Sequence, residues 1–282
     1  MGENWGYVNP KGNYVINPQF KSAEMFIEGL ALVEDNEGNY GYIDTTGKYV
    51  IVPKYVSATR FSEGLAFVTP YNGFITCIDK LGKEIFTLKN ADKVTEFREG
   101  LAIVEKNDKE GFIDKTGKYV VEPKYERLSI FTEGLAAFGI MDKSKDEEEQ
   151  NFKYGFLDKQ GEILINAQFD EVLNFSEGLA AVKKGEKFGF IDKTGKFVIN
   201  PQFFYVNNFN EGRAVVVEKK SEDANGDDED DLNWGFIDKT GKIVVNMQYE
   251  RVLAYYDGLA PVMQNEKWGF IDDKGTMVIN PQ

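Results

Sequence analysis

Carboxylates at two recurring spacings are the first candidates for chemistry in this 282-residue chain. One series, Asp44, Asp79, Asp114, Asp158, Asp192, Asp238 and Asp272, closes a run of the form aromatic-Gly-aromatic-aliphatic-Asp. The other, Glu28, Glu63, Glu99, Glu133, Glu177 and Glu211, stands directly before a Gly. An Asp and a Glu flanking one bond are the couple that a glycosidase uses as acid and base or nucleophile. Repetition argues against that use, because an enzyme needs one asymmetric centre and these carboxylates return in almost every unit. The first unit carries Asn9 in the Asp position, which suits a turn but not acid–base work. Asp or Asn opening a turn accepts backbone N–H groups two residues on, so turn capping is the expected role of the Asp series.

Other reaction classes lack their parts. The chain has no His, which excludes histidine catalysis and histidine metal ligation. It has no Ser-His-Asp set, no Cys-x-x-Cys, no Gly-x-Gly-x-x-Gly and no P-loop. Its single cysteine, Cys77, has no partner for an intramolecular disulfide and reads as a small buried hydrophobe. Seven acids and no base lie between Ser221 and Asn233. The stretch Asp223 to Asp231 resembles a calcium loop, but that loop needs Gly at its sixth position and Glu at its twelfth. Asp228 and Trp234 stand there instead, so a solvated acidic loop is expected. No catalytic, cofactor-binding or metal-binding residue is expected, and the chain is not expected to be an enzyme. A hydrolase with its site in the divergent stretch Ile75 to Asn90 is the least favoured alternative.

One set of side chains could still hold a ligand. Trp5, Tyr40, Tyr154, Phe188, Trp234 and Trp268 occupy equivalent places and could form a ladder of aromatic platforms for sugars or peptides. Aromatics that fill the core between units are the plainer reading of the same spacing.

Composition narrows the partners. Net charge is −14, from 47 acids and 33 bases. That disfavours nucleic acid, whose affinity rests on Lys and Arg neutralising phosphates, and an anionic membrane surface. No apolar run approaches the roughly 20 residues of a membrane span. The chain as it stands is expected to be cytoplasmic, or in the envelope or secreted if a leader precedes it.

The elements that position these residues repeat. Hairpins begin near residues 5, 40, 75, 110, 154, 188, 234 and 268. A basic period of 34–35 residues accounts for these starts once two polar, acidic inserts, 141–153 and 221–233, are set aside. Each hairpin turns on Asp-x-x-Gly, which suits a type I turn followed by a residue with positive φ and a bulge. An Asn-Pro-Gln-Phe type segment follows, where proline must end the strand or lie at a sheet edge. A linker that can form a short strand leads to Glu-Gly and a third strand, Leu-Ala-x-Val. Nothing carries helical periodicity. Each unit is therefore expected to be a three-stranded antiparallel meander with room for a fourth short strand, and the whole chain a single array over 1–282.

Trp-Gly-Phe-Ile-Asp-Lys-Thr-Gly-Lys-Ile-Val-Val from Trp234, together with Phe-x-Glu-Gly-Leu-Ala-x-Val, resembles the WG-repeat (KWG-repeat) family over essentially the whole chain. The resemblance implies a bacterial β-repeat protein that mediates binding, and it brings no catalytic or ligand residues. The third unit departs most, with Ile75-Thr76-Cys77 where the aromatic-Gly pair belongs, and local irregularity is expected there. Fold expectation is all-β, as an open, twisted, solenoid-like stack, with a closed seven- or eight-bladed propeller as the alternative. Eight hairpins but only seven Glu-Gly strands leave one hairpin over. The expected role is a non-enzymatic scaffold for protein–protein interaction. The alternative is carbohydrate or cell-envelope binding through the inter-unit aromatics.

Overall fold

The computed structural model describes residues 4–142, 151–221 and 231–282. All regular elements among them are β-strands, with no α-helix. None is a helix long and apolar enough to cross a membrane. The chain forms two compact units, Met1–Ile130 and Phe131–Gln282.

In the first unit, β1 (Trp5–Val8) and β2 (Tyr14–Phe20) pair as a lone hairpin. Four strands then form a complete antiparallel sheet: β3 (Ser22–Ala23), β4 (Leu30–Glu34), β5 (Tyr40–Asp44) and β6 (Tyr49–Tyr55). Their spatial order equals their sequence order. The same four-stranded meander recurs, giving seven such sheets and one two-stranded hairpin among the described residues. That count matches eight hairpins and seven Glu-Gly strands. The linker expected to form at most a short strand is a regular two-residue first strand in every sheet, as in Ser57–Ala58 and Tyr205–Val206. Each sheet takes its first two strands from one sequence unit and its last two from the next.

Two turns set the strand connections. In the hairpin, Gly47 donates to the Asp44 carbonyl at 2.9 Å and Asp44 N–H donates to the Lys48 carbonyl at 2.9 Å. Gly47 has φ of 86°, the backbone state glycine enters most cheaply. In the Glu-Gly turn, Ile27 and Leu30 exchange hydrogen bonds of 2.9 and 3.0 Å around Glu28 and Gly29, both at positive φ. This is a two-residue hairpin whose twist matches that of the strands.

The glycine of the aromatic-Gly pair has a different cause. Tyr40 opposes Tyr55 and Tyr42 opposes Ile51, so the fourth strand carries extra residues around Pro53 and bulges. The bulge folds over Gly41, where a Cβ would lie 2.7 Å from both the Ile51 carbonyl oxygen and the Pro53 nitrogen. The third hairpin (Ile75–Asp79 with Glu84–Leu88) shows the converse. The bulge also forms where Ala167 and Met247 replace proline, but here Ile75, Thr76 and Cys77 oppose Leu88, Thr87 and Phe86 one for one. With no bulge to accommodate, Thr76 fits, and its hydroxyl lies 3.2 Å from that of Thr87. At this point the divergent unit is the more regular one, contrary to the sequence expectation.

Packing is sheet on sheet within each unit. Leu30, Leu32, Tyr42 and Ile51 pack on Phe61, Ala66, Val68 and Ile78 of the following sheet. Ala31, Val33 and Ile43, on the other face, pack on Ile16 and Phe20. Burial on both faces explains why Leu30-Ala31-Leu32-Val33 is a continuous apolar run. Each such large side chain contributes about 1.5–3 kcal/mol on burial. The aromatic before each Glu-Gly turn plugs the gap: Phe61 on Tyr42 at 4.7 Å between ring centroids, Phe209 on Phe190 at 4.8 Å and Tyr255 on Phe236 at 4.8 Å.

Cys77 is fully enclosed, and burial pushes its thiol pKa up to about 12. An aromatic disulfide reagent near pH 8 is expected to titrate no thiol in the native protein and one after denaturation. Rapid native labelling would contradict this burial.

Candidate functional site

The turn carboxylates are engaged by backbone amides. Asp44 Oδ1 accepts the N–H groups of Thr46 at 2.9 Å and Lys48 at 3.1 Å, and the Thr46 hydroxyl at 2.6 Å. The threonine hydroxyl, assisted by the two amides, holds the Asp44 carboxyl below its ordinary range, and the same holds for Asp114, Asp192 and Asp238. Asn9 makes the two amide contacts at 2.9 and 3.1 Å without a charge, as expected of a cap.

The Glu series does something the sequence reading did not foresee. Glu28 Oε2 accepts the Gly64 N–H, in the next Glu-Gly turn, at 3.0 Å. The same oxygen lies 3.0 Å from Lys80 Nζ, one unit further on, and Lys80 also donates to the Glu28 carbonyl at 3.0 Å. Glu63, Gly100 and Lys115 repeat the link. In the second unit, Glu133, Gly178 and Lys193 repeat it, as do Glu177, Gly212 and Lys239. Each link ties three consecutive repeats through one carboxylate. Burial raises the pKa of Glu28 and Glu177, but the lysine and amide hydrogen bonds outweigh it and leave both below the usual carboxylate range. This explains why Glu, rather than Asn or Gly, occupies a positive-φ position. A signal was available: Lys follows the turn Asp only from the third hairpin on, while Pro10 and Thr45 stand there earlier. Asp273 replaces the lysine in the last hairpin, and Glu211 there accepts only the N–H groups of Asp257 and Gly258, at 2.8 and 2.9 Å.

The six candidate platform aromatics occupy one register position but different environments. Trp5 is 60% exposed, Phe188 is buried, and Tyr40, Tyr154, Trp234 and Trp268 are half-buried. Trp5, Tyr40, Tyr154, Phe188 and Trp234 each oppose the aromatic that follows the bulge: Phe20, Tyr55, Phe169, Phe203 and Tyr249. In the second unit Tyr205 links two of the six, with its ring centroid 6.1 Å from Phe188 and 6.5 Å from Trp234. Tyr154 lines an open groove of about 520 Å³ with Phe152, Lys153, Asp170 and Lys183. Among the described residues no three His, Cys, Asp or Glu side chains converge as metal ligands would. The calcium-loop candidate, apart from Asp231, lies outside the described residues.

A second recurring surface is the fourth strand of each sheet, an edge in every case. Its residues just after the turn are exposed and apolar in Tyr49 and Val50 and in Ile163 and Leu164, and Tyr14 and Val15 hold the equivalent place on β2 of the lone hairpin. Val52, beside Pro53, is 60% exposed. Proline limits edge pairing where it stands, but the stretch before it keeps its backbone groups. The polar signal of the turns drew the sequence reading away from this row.

Stacked four-stranded meanders whose recurring acids are absorbed into turns and inter-repeat links define a tandem β-repeat protein. The chain belongs to the WG containing repeat family, whose model matches residues 5–38, 40–73, 75–109, 111–143, 154–188, 188–220, 234–268 and 268–282. No curated protein matches the sequence. Among solved structures, a crystal structure of the eukaryotic initiation factor is similar in fold. It is 11% identical, with a TM-score of 0.60 over 97% of this chain and 80% of that one. The computationally designed Ika8 protein is 13% identical, with a TM-score of 0.48 over 90% of this chain and 84% of that one. BamB from Moraxella catarrhalis is 10% identical, with a TM-score of 0.43 over 88% and 77%.

Proposed function

We propose that the chain is a non-enzymatic scaffold that binds another protein through its repeated surface. One observation carries this reading: exposed apolar side chains that join no core cluster, such as Val50, Val52, Leu164 and Val198, recur on the fourth strands from sheet to sheet. Apolar side chains exposed together in a regular row favour a macromolecular partner. The recurring carboxylates give little support to catalysis, since the Asp series is engaged in caps and Glu28, Glu63, Glu133, Glu177 and Glu211 in inter-repeat contacts. Immobilised full-length chain is expected to retain specific proteins from a lysate of its native host, and a Val50→Asp, Leu164→Asp variant is expected to lose them. Equal capture by both, with the variant folded, would move binding elsewhere.

A carbohydrate reading is favoured by Tyr205, which is 42% exposed beside Phe188 and Trp234. Saturable binding to a glycan array or to peptidoglycan, lost on Tyr205→Ala, would support it over the protein-binding reading.

A further inference from the structure

The partner's chemistry follows from the charge carried by four of the seven fourth strands, and this inference rests on the protein-binding reading. The chain carries a net charge of −14. The segments 48–55, 118–125, 196–203 and 242–249 run against that balance. They hold Lys48, Lys54, Lys118, Lys124, Lys196 and Lys242 against one acid, Glu122. All six lysines are exposed, and none forms an ion pair among the described residues. The lysines that follow the turn aspartates differ: Lys80, Lys115, Lys193 and Lys239 are each paired with a glutamate. The ammonium groups of Lys54 and Lys124 rest over the rings of Tyr55 and Tyr125, 5.2 and 5.1 Å from their centroids. They are thus held at the strand.

We infer that these fourth strands dock an acidic, extended segment of a partner protein, which adds a further strand to the sheet. β6 shows the fit. Only β5 pairs with it, so its other edge is open. Tyr49 and Val50 point to opposite faces of an extended strand, and both are exposed, so an added strand finds apolar contacts on both sides. Side chains directly opposite in such a pair lie about 4.5–5.5 Å apart, within reach of a carboxylate on Lys48. Pro53 offers no N–H, so pairing covers 48–52 and ends there, where a second guest carboxylate meets Lys54. An extended segment gains affinity from main-chain hydrogen bonds and selectivity from alternate side chains. The net charge of −14 disfavours an acidic segment elsewhere on the chain, and screening confines the lysines' attraction to within about 10 Å, which localises the docking to these strands.

The test uses the full chain and two synthetic peptides of about eight residues, both Val- and Thr-rich, one with Glu and one with Lys at alternate positions. The Glu peptide is expected to bind about tenfold or more tightly than the Lys peptide. Its binding is expected to weaken as salt rises from about 50 to about 300 mM. Amide exchange at Val50 and Val52 should slow in its presence. A Lys48→Glu, Lys54→Glu, Lys118→Glu, Lys124→Glu variant, checked for an unchanged circular dichroism spectrum, should reverse the preference; if it does not fold, the Lys→Gln change at all six lysines, Lys196 and Lys242 included, should abolish it. Equal binding of both peptides, binding of neither, or protection that maps away from the fourth strands would overturn the inference. A host protein still captured by the lysine variant would also overturn it while leaving the scaffold reading intact. Absence of any specific partner for the unmodified chain would instead remove the scaffold reading itself.

Discussion

Gly189→Ala is expected to destabilise the second unit by about 3 kcal/mol or more, at or above the upper end of overpacking costs. A Cβ at this position would lie 2.5 Å from the Ile199 carbonyl oxygen and 2.6 Å from the Pro201 nitrogen. Both are backbone atoms of the bulge, which cannot swing aside as a side chain can. Gly178→Ala is the control. Gly178 has φ of +89° but nothing within 4 Å of its Cβ position, so the substitution meets conformational strain alone, about 1–2 kcal/mol. Urea midpoints of the two variants decide the matter. Ranking by φ alone would make Gly178→Ala the worse change, and that order would refute the close-approach account. Thr76 marks the natural exception, at the one hairpin whose fourth strand pairs there without a bulge.

Acid is expected to produce the second large effect. Asp44, Asp114, Asp192, Asp238 and Asp272, with Glu28 and Glu177, all titrate below their ordinary values in the folded chain. A carboxyl whose folded pKa is lowered contributes stability that is complete above its unfolded pKa and disappears as pH falls through the folded one. The melting temperature should therefore be level above about pH 5. It should begin to fall below the ordinary glutamate value of 4.5 and continue below the aspartate value of 3.8. Protonation also relieves self-repulsion in a chain of net charge −14, an opposing trend that about 0.15 M salt largely screens. Asp192→Asn with Asp238→Asn isolates the turn contribution. Asn9 already makes the two amide contacts of this cap, so the double variant should fold normally at neutral pH and show a shallower acid decline. A decline as steep as that of the unsubstituted chain would exclude the caps as its source.

What the sequence made legible was whatever a single unit determines. The Asp-x-x-Gly turn, the edge position of proline and the aromatic that follows it into the core were readable because each rests on local backbone chemistry. Phe20 and Phe203 are buried as that reading required. The aromatic-Gly glycine was not explained, because its cause is a bulge on the strand opposite, some ten residues away. The Glu–Gly–Lys links were missed for a related reason: their three members lie in three successive units, and only folding brings Glu28 to Lys80. The carboxylates drew attention as chemistry, while their regularity pointed to the structural links that the fold displays. The exposed Val50 and Leu164 carried no motif, since an apolar residue in a strand reads as core until the sheet's edge is known.

Each sheet starts midway through one sequence period and closes midway through the next. A cut between Asn39 and Tyr40, where one family match ends and another begins, parts β4 from β5 and leaves two raw edges prone to aggregation. Excision of one whole period is different. Whatever residue it starts from, a first-and-second strand pair meets a third-and-fourth pair of the same kind, and every sheet closes again. The carboxylate links survive as well, because their members are set by counting periods rather than by address. In its sequence and strand pairing such a chain is a repeat whose units depend on their neighbours. It can gain or lose length by duplication or deletion in any phase, whereas trimming to the borders of the sequence match damages it.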